Sequence, residues 1–171
     1  NYLFWKVWRG YAKTTGYNGP GAACNAVFTD ICGSPYRADI EWMAAEGITS
    51  GCDPVKKLYC PDGDVTRAQM ADFLYRALIL ADGPDAFDDD DGSPFEPAIN
   101  AIAAAGISSG CSADGTKFCP NDALTRGQTA AFLAKAFNFA PGPDAFVDDE
   151  ASPLEESINA IAAAGISSGC N

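Results

Sequence analysis

Carboxylates and cysteines are the side chains of this sequence best suited to chemistry, and both recur at fixed spacing. Asp88-Asp89-Asp90-Asp91 and Asp148-Asp149-Glu150 could supply oxygen ligands to calcium, which tolerates irregular carboxylate loops. Their spacing fits no EF-hand, and an acidic run just before a helix N-terminus also reads as a solvated, dipole-favoured cap. Calcium is therefore a candidate cofactor at Asp88, Asp89, Asp90 and Asp91, and no other cofactor is expected. Asp30, Asp89 and Asp148 recur in phase and are expected to be turn or cap residues. Catalysis has little support. The chain has no histidine, no Gly-x-Ser-x-Gly and no phosphate loop, so the commoner nucleophile and base sets are missing and a noncatalytic protein is expected.

The seven cysteines point to an oxidising compartment. Cys52 and Cys60, Cys111 and Cys119, and Cys24 and Cys32 are each eight residues apart, with no CxxC to suggest zinc. Disulfides are the better reading. Asp114-Gly115 can fold the segment between Cys111 and Cys119 back on itself. Closing so short a loop contributes about 2–3 kcal/mol in the chain-entropy treatment. Cys24 and Cys32 are counted with the disulfides, but their pairing stays open because later repeats carry Asp91 and Glu150 where the first has Cys32. Cys170 is left over, its repeat partner falling at 178.

What positions these groups is a tandem array. Phe28, Phe87 and Phe146 lie 59 residues apart, and residues 95–111 and 154–170 differ at three of seventeen positions. Periods of this size mark one supersecondary unit that buries its apolar face against its neighbours. The phase gives a segment 1–27, complete repeats 28–86 and 87–145, and a partial repeat 146–171. Within each, Ser34-Pro35, Ser93-Pro94 and Ser152-Pro153 read as an N-cap followed by proline at the first helical position. Ser93 with Glu96 and Ser152 with Glu155 have the capping-box spacing. Ile40, Met43 and Ala44 begin an apolar stripe that returns 59 and 118 residues later, and Gly47, Gly106 and Gly165 end these helices. A cysteine-closed β-hairpin follows, and a second helix opens on the capping boxes Thr66-Arg67-Ala68-Gln69 and Thr125-Arg126-Gly127-Gln128. The fold class expected is mainly α, with 59-residue helix–hairpin–helix repeats and short disulfide-closed β-hairpins.

The net charge of −12 is uneven. Residues 1–27 hold Lys6, Arg9 and Lys13 and no acid, leaving −15 for the remainder. An acidic body repels nucleic acid and anionic membranes, and no run approaches the eighteen or so apolar residues needed to span a bilayer. The first residue is Asn1 with no signal sequence, which suggests a processed or excerpted chain. In the basic head, Leu3, Val7 and Tyr11, with Phe4 and Trp8, could line one helix face; Trp5 and Trp8 could instead stack on sugar rings. Tyr2, Phe4, Trp5 and Trp8 are candidate contacts to further copies of the chain.

From Phe28 onward the chain resembles S-layer homology repeats, in a cysteine-containing form similar to those of high-GC Gram-positive bacteria. The resemblance rests on Phe28-Thr29-Asp30, Ile40-Glu41-Trp42-Met43-Ala44-Ala45-Glu46-Gly47-Ile48, Cys60-Pro61-Asp62, Thr66-Arg67-Ala68-Gln69 and Phe73-Leu74-Tyr75-Arg76-Ala77-Leu78, recurring in order. It implies an extracellular helical module, commonly three repeats about a pseudo-threefold axis, that holds a protein to the cell surface through an anionic wall polysaccharide. The family's arginine motif maps onto Arg67 and Arg126, flanked by Thr66, Gln69, Thr125 and Gln128. Free amides at a helix start beside a guanidinium make an anion site, whereas capping alone also explains the Thr and Gln. The motif departs from the family in having Gln at its fourth position. Wall anchoring is the first expectation. A self-assembling subunit of a filament or surface layer, joined through residues 1–13 and the incomplete third repeat, is the second.

Overall fold

The computed structural model describes residues 26–170. Five helices appear among them: α1 (Arg37–Ala45), α2 (Arg67–Leu78), α3 (Glu96–Ala104), α4 (Arg126–Phe137) and α5 (Glu155–Ala163). The chain divides into two compact units, Asn1–Gly63 and Asp64–Asn171. The division falls inside the first sequence repeat, so α2 packs with α3, and α4 packs with α5.

In the first unit, Phe28, Ile31 and Ile40 form the core, with Trp42 of α1 and Ile48 also buried. In the second, Leu74, Phe87, Ile99, Ile102, Ile107, Phe118 and Phe132 share one cluster, and Ala130, Ala134, Ala160 and Ile161 join α4 to α5 in another. The expected stripe is largely recovered, except that in α1 Trp42, and not its neighbour Met43, is buried along with Ile40.

Helix starts differ between the two kinds of helix. Thr66 and Thr125 form full capping boxes: each hydroxyl accepts from the Gln69 or Gln128 amide at 3.2 Å, and the glutamine carbonyl accepts from the threonine N–H at 2.9 and 3.0 Å. The boxes expected at Ser93 and Ser152 do not form. The Ser93 and Ser152 amides already donate to the carbonyls of Asp90 and Asp149, at 2.9 and 2.7 Å. Each serine hydroxyl therefore caps the amide two residues on, at Phe95 and Leu154, and the Glu96 carboxylate accepts from Gly92 instead.

Helix ends follow the sequence closely. Gly47, Gly106 and Gly165 have φ near +70°, and in each case the amide of the following isoleucine returns to the carbonyl five residues earlier at 2.8–2.9 Å, the Schellman arrangement. The linkers are held by buried amides: Asn100 and Asn159 each accept the N–H of Ala86 or Ala145 at 3.0 Å. Gly83 passes so close that an added Cβ would lie 2.2 Å from the Asn100 carbonyl oxygen.

Cys52–Cys60 and Cys111–Cys119 are disulfide-bonded, each with Cα atoms 6.0 Å apart. The β-hairpins expected between them are not strands. The first loop has a single antiparallel bridge, Asp53 with Leu58; the second closes on the Asp114-Gly115 turn, with Cys111 N–H donating to Lys117 at 2.7 Å. Loops this short turn before a ladder can propagate. Cys32 is also disulfide-bonded, but its expected partner Cys24 lies outside the described residues, and Cys170 is free and exposed.

Candidate functional site

The recurring aspartates fix each disulfide loop to its repeat. Asp30 accepts from the amides of Tyr59 and Cys60, and Asp89 from those of Phe118 and Cys119, at 2.7–3.1 Å. Burial pushes the Asp30 carboxyl up, but the two amides outweigh it and hold its pKa below the ordinary value. The loop aromatic then packs on the opening phenylalanine, Tyr59 on Phe28 at 5.5 Å and Phe118 on Phe87 at 5.4 Å between ring centroids.

Arg67 is held inside this arrangement. It is 6% exposed, its Nε donates to the Phe118 carbonyl at 2.7 Å, and its guanidinium lies 4.8 Å from the Phe118 ring and 5.5 Å from the Phe132 ring. Burial lowers its pKa, with Asp122 and Asp89 acting in the opposite sense. The start of α2 is occupied as well, since the Arg67 and Ala68 amides donate to the carbonyls of Asp122 and Pro120 at 2.9 and 3.0 Å. Arg67 is thus closed off from solvent, although its motif is the same as that of Arg126.

Arg126 stands in the opposite condition. It is exposed, and its guanidinium makes one long bond, 3.4 Å to the Gly169 carbonyl. The Arg126 and Gly127 amides at the start of α4 have no acceptor among the described residues. Around them opens a cleft of about 890 Å³, lined by Thr125, Thr129, Phe146, Asp148, Ser167 and Cys170 among others. An exposed guanidinium, two free helix-start amides and hydroxyls around one cleft can bind an anionic or hydroxyl-rich ligand.

Thr66, Gln69, Thr125 and Gln128 are engaged with their own backbone as caps. The acidic run is divided in use: Asp89 holds the loop, Asp88 and Asp91 are exposed, and Asp90 is 1% exposed with neither oxygen hydrogen-bonded. Among the described residues no three Asp, Glu or Cys side chains are grouped to hold a metal ion. Tyr2, Phe4, Trp5 and Trp8 lie outside the described residues. The linker amides of Asn100 and Asn159 were not anticipated; their recurrence at one position inside an otherwise apolar helix was the available signal.

No helix of the described residues is long and apolar enough to cross a membrane. No curated protein matches the chain. The family model for the S-layer homology domain matches residues 27–71 and again 86–130, two tandem copies covering more than half of the sequence. S-layer homology domains are binding domains of cell-surface proteins, which they generally anchor to cell-wall polymers. With the repeated motifs, the helical architecture and the disulfide loops, this double match shows that the chain belongs to the S-layer homology family.

Proposed function

We propose that the chain is a noncatalytic, extracellular anchoring module that binds a cell-wall polysaccharide at the Arg126 cleft. The observation that carries this reading is the contrast between the two motif arginines: Arg67 is buried under Phe118, while Arg126 faces an open cleft beside the unpartnered amides of α4. Thr125 accepts from Gln128 and keeps its hydroxyl proton for a sugar, Thr129 donates to the Thr125 carbonyl and keeps its lone pairs, and Arg67 serves the core. The repeats are taken as 28–86, 87–145 and 146–171, with 1–27 as a separate segment. Because the net charge is −12, long-range repulsion opposes an anionic polymer, and contact depends on the short-range pairing at Arg126.

The test is co-sedimentation with purified Gram-positive walls, intact and stripped of secondary polymers by acid. The protein is expected to be retained on intact walls only, and Arg126→Glu to lower retention at least about tenfold, the effect of losing one charge-assisted contact. Equal retention of Arg126→Glu would remove the cleft from the reading, and no retention on any wall would remove anchoring. A second reading is a self-assembling subunit of a surface layer or filament, in which the exposed Arg126 and the apolar lining of the cleft meet another copy of the chain.

A further inference from the structure

Asp90 is enclosed inside the complete second repeat: it is 1% exposed, and neither carboxylate oxygen has a hydrogen-bond partner. The charged groups acting on it carry the same sign, namely Glu96 at the start of α3, Asp85 in the linker and Asp89 in the loop. A buried carboxylate among like charges, with no donor, is costly unless a cation joins it. Asp89 is committed to the Phe118 and Cys119 amides, and Asp88 and Asp91 are exposed. Asp149, 59 residues after Asp90, is likewise buried with both oxygens unpartnered.

The first repeat shows that the loop does not need this carboxylate for its shape. Asp85, Asp90 and Glu96 return together as Asp144, Asp149 and Glu155, but the first repeat has Ala26, Ile31 and Arg37 at the same places. There Ala26 packs on the cluster of Phe28, Ile31 and Ile40, and Arg37 pairs with Glu41 at 2.9 Å. The backbone turn is nevertheless the same: the Ser34 and Ser93 amides donate to the Ile31 and Asp90 carbonyls at 3.0 and 2.9 Å. Three acids thus appear as a set and disappear as a set, in one case replaced by two apolar residues and a base.

We infer that the second repeat carries a calcium site in which buried Asp90 is the central ligand and Asp85 and Glu96 close over it, and that the third repeats it at Asp144, Asp149 and Glu155 while the first has none. Calcium suits these residues because it takes six to eight oxygens in irregular geometry and completes its shell with carbonyls and water, whereas softer metals favour nitrogen and sulfur. The three carboxylates do not already meet at one point. Asp85 is exposed and Glu96 half-buried, and Glu96 uses only Oε2 on the Gly92 amide, so both side chains can turn toward Asp90. The ion then ties linker, loop and helix start together at the entry to the repeat.

The experiment is thermal unfolding of chelator-stripped protein near neutral pH, with calcium chloride or an equal concentration of magnesium chloride added, alongside calorimetric titration with calcium. Calcium at about tenfold excess over its Kd is expected to raise Tm by about 5 °C, and magnesium by much less. Asp90→Ile installs the residue that the first repeat buries at this place, and Asp90→Asn keeps the shape while removing the charge. Each is expected to lower the calcium bound per chain, and each combined with the same change at Asp149 to abolish binding and the Tm shift. Asp88→Asn with Asp91→Asn should leave the bound calcium unchanged. Every shift is read within one variant, so a change in basal stability does not alter the outcome. No calcium uptake by the natural protein would overturn the site. So would equal shifts with magnesium, which would reflect only screening of the acidic chain, or full uptake by the Asp90 and Asp149 double variants. Loss of binding in the Asp88 and Asp91 variant with binding kept in Asp90→Asn would overturn it as well.

Discussion

The Arg67 Nε donates to the Phe118 carbonyl at 2.7 Å while the same guanidinium lies 4.8 Å from the Phe118 ring, so one side chain grips the loop by its backbone and by its aromatic face. Removing it leaves a buried carbonyl without its donor and a void beside two rings. Arg67→Ala is expected to destabilise the second compact unit by about 2–4 kcal/mol. Arg126→Ala, an exposed site, should change stability by less than about 0.5 kcal/mol. Urea denaturation followed by near-ultraviolet circular dichroism distinguishes them, and equal effects would contradict the different burial of the two arginines.

The Cys111–Cys119 bridge closes a loop that is also held by Asp89. The double replacement Cys111→Ser, Cys119→Ser should therefore lose about 2–3 kcal/mol without abolishing the fold. Calorimetry with and without a reductant checks the same point, since the natural protein's Tm should fall on reduction and that of the double variant should fall less.

Asp90 is buried where the first repeat places Ile31, and neither of its oxygens is hydrogen-bonded. Burial raises its pKa from the ordinary 3.8 to about 6, with Glu96, Asp85 and Asp89 adding in the same direction against its own backbone amide. The folded state thus holds the proton more tightly than the unfolded chain. The stabilising contribution is complete below 3.8 and is lost as pH rises through about 6. Compared with Asp90→Asn, the natural protein should gain Tm between pH 7.5 and pH 5. Asp90→Ile should raise stability at pH 7 by about 2 kcal/mol, the cost of a buried polar group without a partner. An unchanged Tm in both variants would show that the carboxylate finds a partner in solution.

Ile79 ends α2 in the left-handed region, with φ +51°, and its side chain is 89% exposed. A β-branched residue is strained there, and Asn138 serves the same cap at the end of α4 with φ +50°. Ile79→Asn is expected to stabilise the unit by about 1 kcal/mol through the relieved backbone. A lower midpoint in urea would mean that Ile79 packs against something in solution.

Much of this architecture was legible locally. The 59-residue phase, both Thr-Arg-x-Gln capping boxes, the three Gly helix ends, the Asp114-Gly115 turn and the cysteine spacing each depend on residues within one turn or loop, where φ/ψ preference and hydrogen-bond reach decide the outcome. The serine boxes misled because their amides are taken by carbonyls three residues back, a competition within the acidic loop that spacing alone does not reveal. The unequal fates of Arg67 and Arg126 were not legible at all. The two residues share one motif, but burial is set by what lies across from them: Phe118, 51 residues along the chain, covers Arg67, and no described residue covers Arg126. The repeat, its caps and the cysteine spacing follow from the order of the residues, because those are short-range properties of the chain. Which arginine of the motif is buried and which is exposed is set by packing, because desolvation depends on neighbours distant in the chain.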